Sequence, residues 1–320
     1  MCTAISDGHL FGRTLDLEYS YNEKIVILPR NYGFTISGQN IRYHPAMIGV
    51  AHIANGYPLY YDAINEHGLG VAGLNFPGNA VYTEPKPDKH NVPSFELIPW
   101  LLSKCDSTDS AEKLLCDTVI TNTSFSPDLP PTPLHWIIAD KNRAITVEQT
   151  KDGLNIFDNT PGVMTNSPVF PYHLLRVADY MSLDSAVREN TLCQKLKLEA
   201  YSRGMSAMGL PGDYSSSSRF VRAVFAKFHT TQAEDWVNRF FHVMDTVSVP
   251  KGCVKTDSGK DVYTVYTSCA DLESLVYYFK TYDNPTVRGV RLTEALANAG
   301  EIISFPMNSD DTTAKKKYSN

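Results

Sequence analysis

No two of the six cysteines fall at the C-x-x-C spacing of zinc and redox sites, and the longest apolar runs fall far short of the ~20 residues a membrane-spanning helix needs. Apart from a lysine triplet at 315–317, Lys and Arg form no cluster. The 29 basic residues are outnumbered by 35 acidic ones, a formal net charge of −6, so the chain has no electrostatic footprint for nucleic acid or an anionic membrane. The first nine residues, M-C-T-A-I-S-D-G-H, lack the basic-then-apolar pattern of an export signal. No internal repeat and no Ser/Gly linker divides the chain. What remains is a 320-residue sequence, 42% hydrophobic, long enough to bury a sizeable core. It is expected to stay in the cytoplasm, where Cys2, Cys105, Cys116, Cys193, Cys253 and Cys269 should be thiols.

Regular structure is expected in blocks. Lys24–Leu28 and residues 47–53 and 59–63 are short, rich in β-branched and aromatic side chains and bounded by Pro or Gly, so they read as strands. Residues 95–105 and 110–119 carry helical spacing, with Asp109 and Glu112 as a capping pair. Strands return at Leu134–Ala139, 144–149 and 154–157, the last two joined through an Asp152-Gly153 turn. Helices are predicted over 172–181, 220–228 and 233–247, and strands over 262–267, 275–279 and 287–292. Such blocks suggest a layered α+β domain spanning 2–308. Residues 83–93 and the apolar, proline-rich 125–133 read as surface loops, and 309–320 as a polar tail.

Gly68-Leu69-Gly70-Val71-Ala72-Gly73 matches G-x-G-x-x-G, the fingerprint of a dinucleotide-binding dehydrogenase. That motif needs a helix opening at its third glycine. Here Leu74-Asn75-Phe76-Pro77 follows, and the proline argues for a glycine-rich strand closely approached by other backbone.

Cys2 is the unusual cysteine. Loss of Met1 would leave an α-amine and a thiol on one residue, with ordinary pKa values near ~7.7–8.0 and ~8.5, a nucleophile carrying its own base. Eleven residues on, Arg13 and, after it, Asp16 lie in a segment that, if extended, is read as presenting both on one face. Arg13 could lower the thiol pKa and Asp16 could orient the amine. Asn75, Asn166 and Arg219 are polar interruptions of apolar context, and the two asparagines are candidate oxyanion donors. The bland readings are turn chemistry and surface charge.

These residues sit in M-C-T-A, G-R-T-L-D-L-E-Y-S-Y, Y-D-A-I-N-E-H-G-L-G, A-G-L-N-F-P-G-N, L-H-W, T-N-S-P, G-L-P-G-D, S-R-F-V-R and Y-T-S-C. In that order and spacing the sequence resembles the choloylglycine hydrolase family of N-terminal nucleophile hydrolases, most closely its bile salt hydrolase branch. The resemblance implies a four-layer αββα sandwich with no cofactor or metal. It also implies that Cys2 is the nucleophile, freed by removal of one residue. Arg13, Asp16 and Arg219 would set its charge state and hold its amine, and Asn75 and Asn166 would stabilise the oxyanion. Conjugated bile salts would be the substrates, cleaved through a thioester acyl-enzyme. Leu15, Phe125 and Leu129 would line the steroid pocket, and Arg203, in an S-R-x loop, would pair with a glycine conjugate's carboxylate. The family suggests a homotetramer. Penicillin V acylases share the nucleophile but often carry tyrosine at the position of Asn75, which favours bile salts. A binding protein without catalysis is the third reading, distinguished by retaining bile salts unconsumed.

Overall fold

Alternation of side chains along short strands organises the chain into two stacked antiparallel sheets. The computed structural model describes residues 1–231 and 234–307. The polar tail expected at 309–320, residue 308 at the domain's edge and residue 233 at the head of an expected helix lie outside them.

One seven-stranded sheet runs Val163–Met164, Cys2–Asp7, Leu10–Leu17, Asp261–Asp271, Val276–Thr281, Arg288–Arg291, with Val254–Lys255 joined to Asp261–Asp271. The eight-stranded sheet runs Gly153–Asp158, Ala144–Thr150, Leu134–Ala139, Gly70–Asn75, Tyr57–Asn65, Met47–Ala54, Lys24–Leu28, Ile303–Pro306. Strand Lys24–Leu28 shows how the layers arise. Ile25 and Ile27 enter the core between the sheets with Cys2, Leu15 and Phe279, while Val26 and Leu28 pack with Trp100 and Leu101 of helix Leu97–Lys104. Burial on both faces is why the strand reads as an unbroken apolar run. On the far side, Ile5, Leu10 and Cys269 pack with Phe170, Phe220, Phe240 and Met244 of helices Phe170–Val177, Ser216–His229 and Trp236–Asp245. The result is the expected αββα sandwich.

Several boundaries differ for local reasons. The helix expected over 110–119 is Thr108–Leu115, capped by Ser107 and Ser110 in a reciprocal box, while Asp109 and Glu112 instead pair with Arg143. The β-branched run after it forms strand Thr118–Thr121, parallel to His90–Pro93, so the end of the loop expected at 83–93 is a strand. Strand Asp261–Asp271 outruns its expected 262–267 because it pairs on both edges, with Leu10–Leu17 and Val276–Thr281. The Asp152-Gly153 turn closes its hairpin with Thr150 opposite Gly153. The last four residues of the discarded glycine motif lie in strand Gly70–Asn75, and a Cβ on Gly70 would lie 2.6 Å from the Phe11 ring. The close approach of other backbone predicted there occurs at Gly68, where a Cβ would lie 2.7 Å from Leu272 O, while at Gly70 the approach is by a side chain.

Candidate active site

The N-terminal hairpin fixes the register Cys2↔Leu15 and Ala4↔Arg13. Because side chains alternate, these four residues share the inter-sheet face, where Cys2 is 2% exposed and Leu15 lies directly across from it. Asp16 is three residues from Arg13, an odd offset, so the two point to opposite faces and the expectation that they share one fails. The Asp16 carboxylate stays within its own sheet. It accepts hydrogen bonds from Thr14 Oγ1 at 3.2 Å and Thr264 Oγ1 at 2.7 Å.

Arg13 crosses to the other sheet. Its Nη1 donates to Tyr61 O at 3.0 Å and Gly73 O at 2.6 Å, its Nε to Thr14 O at 3.1 Å, and it is wholly buried. Burial alone would lower its pKa; the neighbouring Cys2, Tyr266, Asp62 and Asp16 reverse that, and the net is a guanidinium held above its ordinary value.

Arg219, expected by the bland reading to be a surface residue, is equally buried. Ser215 caps its helix through Ser218 N, and the first turn aims Arg219 at the Cys2 backbone. Nη1 donates to Cys2 O at 2.5 Å and Thr3 Oγ1 at 2.6 Å, Nη2 to Asn166 Oδ1 at 2.8 Å and Nε to Tyr214 O at 3.1 Å. Desolvation lowers its pKa, opposed by Asp16 and Cys2.

Asn166 ties the group together. Its Oδ1 accepts from Cys2 N at 2.7 Å and from Arg219, and its Nδ2 donates to Asn75 O at 2.8 Å. Asn75 ends its strand half-buried, and among the described residues no hydrogen bond engages its carboxamide. The Met1 amine donates to Asp16 O at 2.7 Å, and Met1 O accepts from Asp16 N at 3.0 Å. The structure therefore gathers Cys2, Arg13, Asp16, Asn75, Asn166 and Arg219 around one buried point.

A supporting layer went unread in the sequence. Ser216 Oγ accepts from Asn166 N at 2.8 Å, and His173 Nε2 meets Asn166 O at 2.9 Å. His135 Nε2 meets Thr165 O at 2.7 Å, its Nδ1 lies 3.1 Å from Glu148, and its ring stacks on Phe76 at 4.2 Å. His173 stacks on Phe220 at 5.0 Å, and burial pushes its pKa down to about 4. A histidine inside the apolar L-H-W strand was the available signal, since a buried polar group demands partners.

Of the pocket candidates, Phe125 packs edge-on to Phe95 at 5.3 Å and lies 5.9 Å from Tyr57, and Leu129 is exposed. Their loop runs into Leu134, which pairs with Asn75, so loop and site share one end of the sheet. Arg203 stands exposed, and its guanidinium makes no hydrogen bond or ion pair among the described residues.

The family model for linear amide C–N hydrolases, choloylglycine hydrolase family, matches residues 2–305. A bile salt hydrolase/transferase of Lactiplantibacillus plantarum is 44% identical over 317 residues, 97% of this chain and 98% of that protein. The crystal structure of a C2A mutant of conjugated bile acid hydrolase from Clostridium perfringens superposes with a TM-score of 0.88 at 32% identity, covering 95% of this chain and 96% of that one. A penicillin V acylase from Agrobacterium tumefaciens shares the fold, with a TM-score of 0.74 at 18% identity, covering 96% of this chain and 91% of that one.

Proposed function

The chain belongs to the choloylglycine hydrolase family of linear amide C–N hydrolases, and from that premise we propose that it cleaves the amide bond of glycine- or taurine-conjugated bile salts with Cys2 as an N-terminal nucleophile. The observation that carries the reading is the 2.7 Å contact between Cys2 N and Asn166 Oδ1, made by an asparagine that also binds Arg219 and Asn75. Hydrolysis of the Met1–Cys2 bond turns that amide nitrogen into an amine already held in place.

The free amine takes the proton of the Cys2 thiol, and Arg13 favours the thiolate. The thiolate attacks the substrate's amide carbon, and its carbonyl oxygen becomes the oxyanion. Asn75 offers a carboxamide whose N–H groups have no partner among the described residues, and Asn166 has one N–H left after bonding Asn75 O. The amine returns its proton to the departing glycine or taurine as the C–N bond breaks, leaving a thioester. Water, deprotonated by the same amine, then releases the bile acid.

The finer assignments belong to the same proposal. Leu15, Phe125 and Leu129 form the apolar wall, supported by Leu15 facing Cys2 and by the loop's place at the Asn75 end of the sheet. Arg203 takes the carboxylate of glycine conjugates, supported by its exposed, unengaged guanidinium. Residues 2–308 form one hydrolase domain, supported by the family match over 2–305. A homotetramer in the cytoplasm is supported by the exposed Leu175, Met181, Val187, Leu192, Tyr201 and Met208, apolar side chains that a monomer leaves in water, and by six cysteines all present as thiols. Among the described residues no helix is long and apolar enough to cross a membrane. Incubating the purified protein with glycocholate, taurocholate and penicillin V and measuring released amine tests the reading. Release from the two bile salts that is lost in Cys2→Ser supports it; release from penicillin V alone, or none, contradicts it.

A further inference from the structure

Three motifs of the sequence carry side chains that this mechanism leaves unused: Asp62 in Y-D-A-I-N-E, Tyr266 and Ser268 in Y-T-S-C, and Tyr277 in the tyrosine-rich C-terminal strands. The fold brings all four together between the sheets, beside Arg13. Asp62 is 1% exposed. Its Oδ1 accepts from Tyr266 OH at 2.7 Å, and its Oδ2 accepts from Ser268 Oγ at 3.2 Å and from Tyr277 OH. Ser268 Oγ in turn accepts from Arg13 N at 3.1 Å, and Arg13 Nη1 bonds the carbonyl of Tyr61, Asp62's neighbour in the chain.

Two anomalies meet here. Asp62 is a buried carboxylate with no cation at ion-pair distance among the described residues. Arg13 is a buried cation whose Nη2 has no hydrogen-bond partner among the described residues. Each is costly alone; within one low-dielectric layer each offsets the other's charge. Three hydroxyl hydrogens converging on two carboxylate oxygens suit the anion, because a protonated carboxyl would bring a fourth.

We propose that Asp62 is a positioning residue for the amide hydrolysis, a hydroxyl-solvated counter-anion that balances Arg13 and thereby limits how strongly Arg13 favours the Cys2 thiolate. The inference rests on Cys2 being the nucleophile. With Arg13 and Arg219 set against Asp16 and Asp62, the buried charges around the thiol cancel before it ionises. Without Asp62 an uncompensated guanidinium would draw the thiol to a lower pKa, and a thiolate of lower pKa is a weaker nucleophile. The groups acting on Asp62 are Arg13 from Leu10–Leu17, Tyr266 and Ser268 from Asp261–Asp271 and Tyr277 from Val276–Thr281, while Arg13 in turn also feels Cys2 from Cys2–Asp7 and Asp16 from its own strand. Burial raises the Asp62 carboxyl above the ordinary range, opposed first by Arg13 and then by the hydroxyls.

The test follows alkylation of Cys2 by iodoacetamide against pH in the full-length mature protein, read by mass on the N-terminal peptide, alongside glycocholate kinetics. Asp62→Asn is expected to move the alkylation midpoint down by about one pH unit, with kcat reduced about threefold and KM within about twofold. Asp62→Glu should restore the midpoint. A side chain that only braced the fold would change yield or every rate, not the midpoint, so an unmoved midpoint overturns the proposal. Should Asp62→Asn fail to fold, the Tyr277→Phe/Ser268→Ala pair removes two of the three donors. It should move the midpoint the same way by a smaller amount; no movement overturns the proposal equally. Cys2→Ser, measured in parallel, separates the two claims. If it retains turnover, the nucleophile assignment fails; if it loses turnover while Asp62→Asn titrates like the parent, only the role of Asp62 fails.

Discussion

Cys2 and Asn166 meet at 2.7 Å, backbone nitrogen to carboxamide oxygen, although 164 residues separate them in the chain. The contact gives Asn166 a fixed orientation: Oδ1 is engaged by Cys2 and Arg219, so Nδ2 must face Asn75 and the space in front of the thiol.

The two asparagines should therefore fail differently. Asn75→Ala removes a carboxamide bonded to nothing else described and is expected to lower kcat about 10²–10³-fold with little change in KM or melting temperature. Asn166→Ala also frees Arg219 and the Cys2 nitrogen, so it should lower kcat at least as far and additionally destabilise the fold by about 1–3 kcal/mol. Steady-state kinetics and denaturant melts on both variants check this. Equal destabilisation by the two would contradict the geometry.

Part of this was legible in the residues. Asn75, Asn166 and Arg219 stood out as polar groups in apolar context, Cys2 by its place behind Met1 and Arg13 by its spacing to Asp16, and short β-branched and aromatic runs bounded by Pro or Gly announced the strands. What the one-dimensional pattern hid were partnerships across sheets and between distant segments. Parity along a strand separates Arg13 from Asp16, and only the register against Asp261–Asp271 shows that Asp16 is held by Thr264. Likewise His135 and Asp62 each look like one polar letter in a strand. Their meaning lies in residues 30 and more than 200 positions away.

His173 makes stability depend on acid. Burial, with smaller contributions from His135 and Arg219, holds its pKa down near 4 against an ordinary 6.5. The folded state thus refuses a proton that the unfolded chain accepts. The stabilisation is full above pH 6.5 and is lost as pH falls toward 4, about 3 kcal/mol in all at ~1.4 kcal/mol per pH unit. His173→Gln keeps a donor for Asn166 O but does not titrate. Urea unfolding at neutral pH and near pH 4.5 should show a loss about 2 kcal/mol smaller in the variant than in the parent.

Gly70 tests the packing between sheets. A Cβ there would sit 2.6 Å from Phe11, so Gly70→Ala should destabilise by about 1–3 kcal/mol through overpacking. Combining it with Phe11→Leu should recover part of that loss in thermal melts, because the ring is what the methyl meets.

Arg203→Ala should leave hydrolysis of taurocholate within about twofold while lowering kcat/KM for glycocholate, since a planar carboxylate accepts the guanidinium fork better than a sulfonate does. Paired kinetics on the two conjugates decide it, and an unchanged ratio removes Arg203 from substrate recognition.

The central claim, covalent catalysis by the freed N-terminal Cys2, is tested most directly by intact mass after mixing the protein with glycocholate and quenching in acid. The account predicts a chain lacking Met1 that carries a bile-acyl adduct on its N-terminal peptide, with the adduct and glycine release both absent in Cys2→Ala. Glycine release by Cys2→Ala, or an adduct on any other residue, would contradict it.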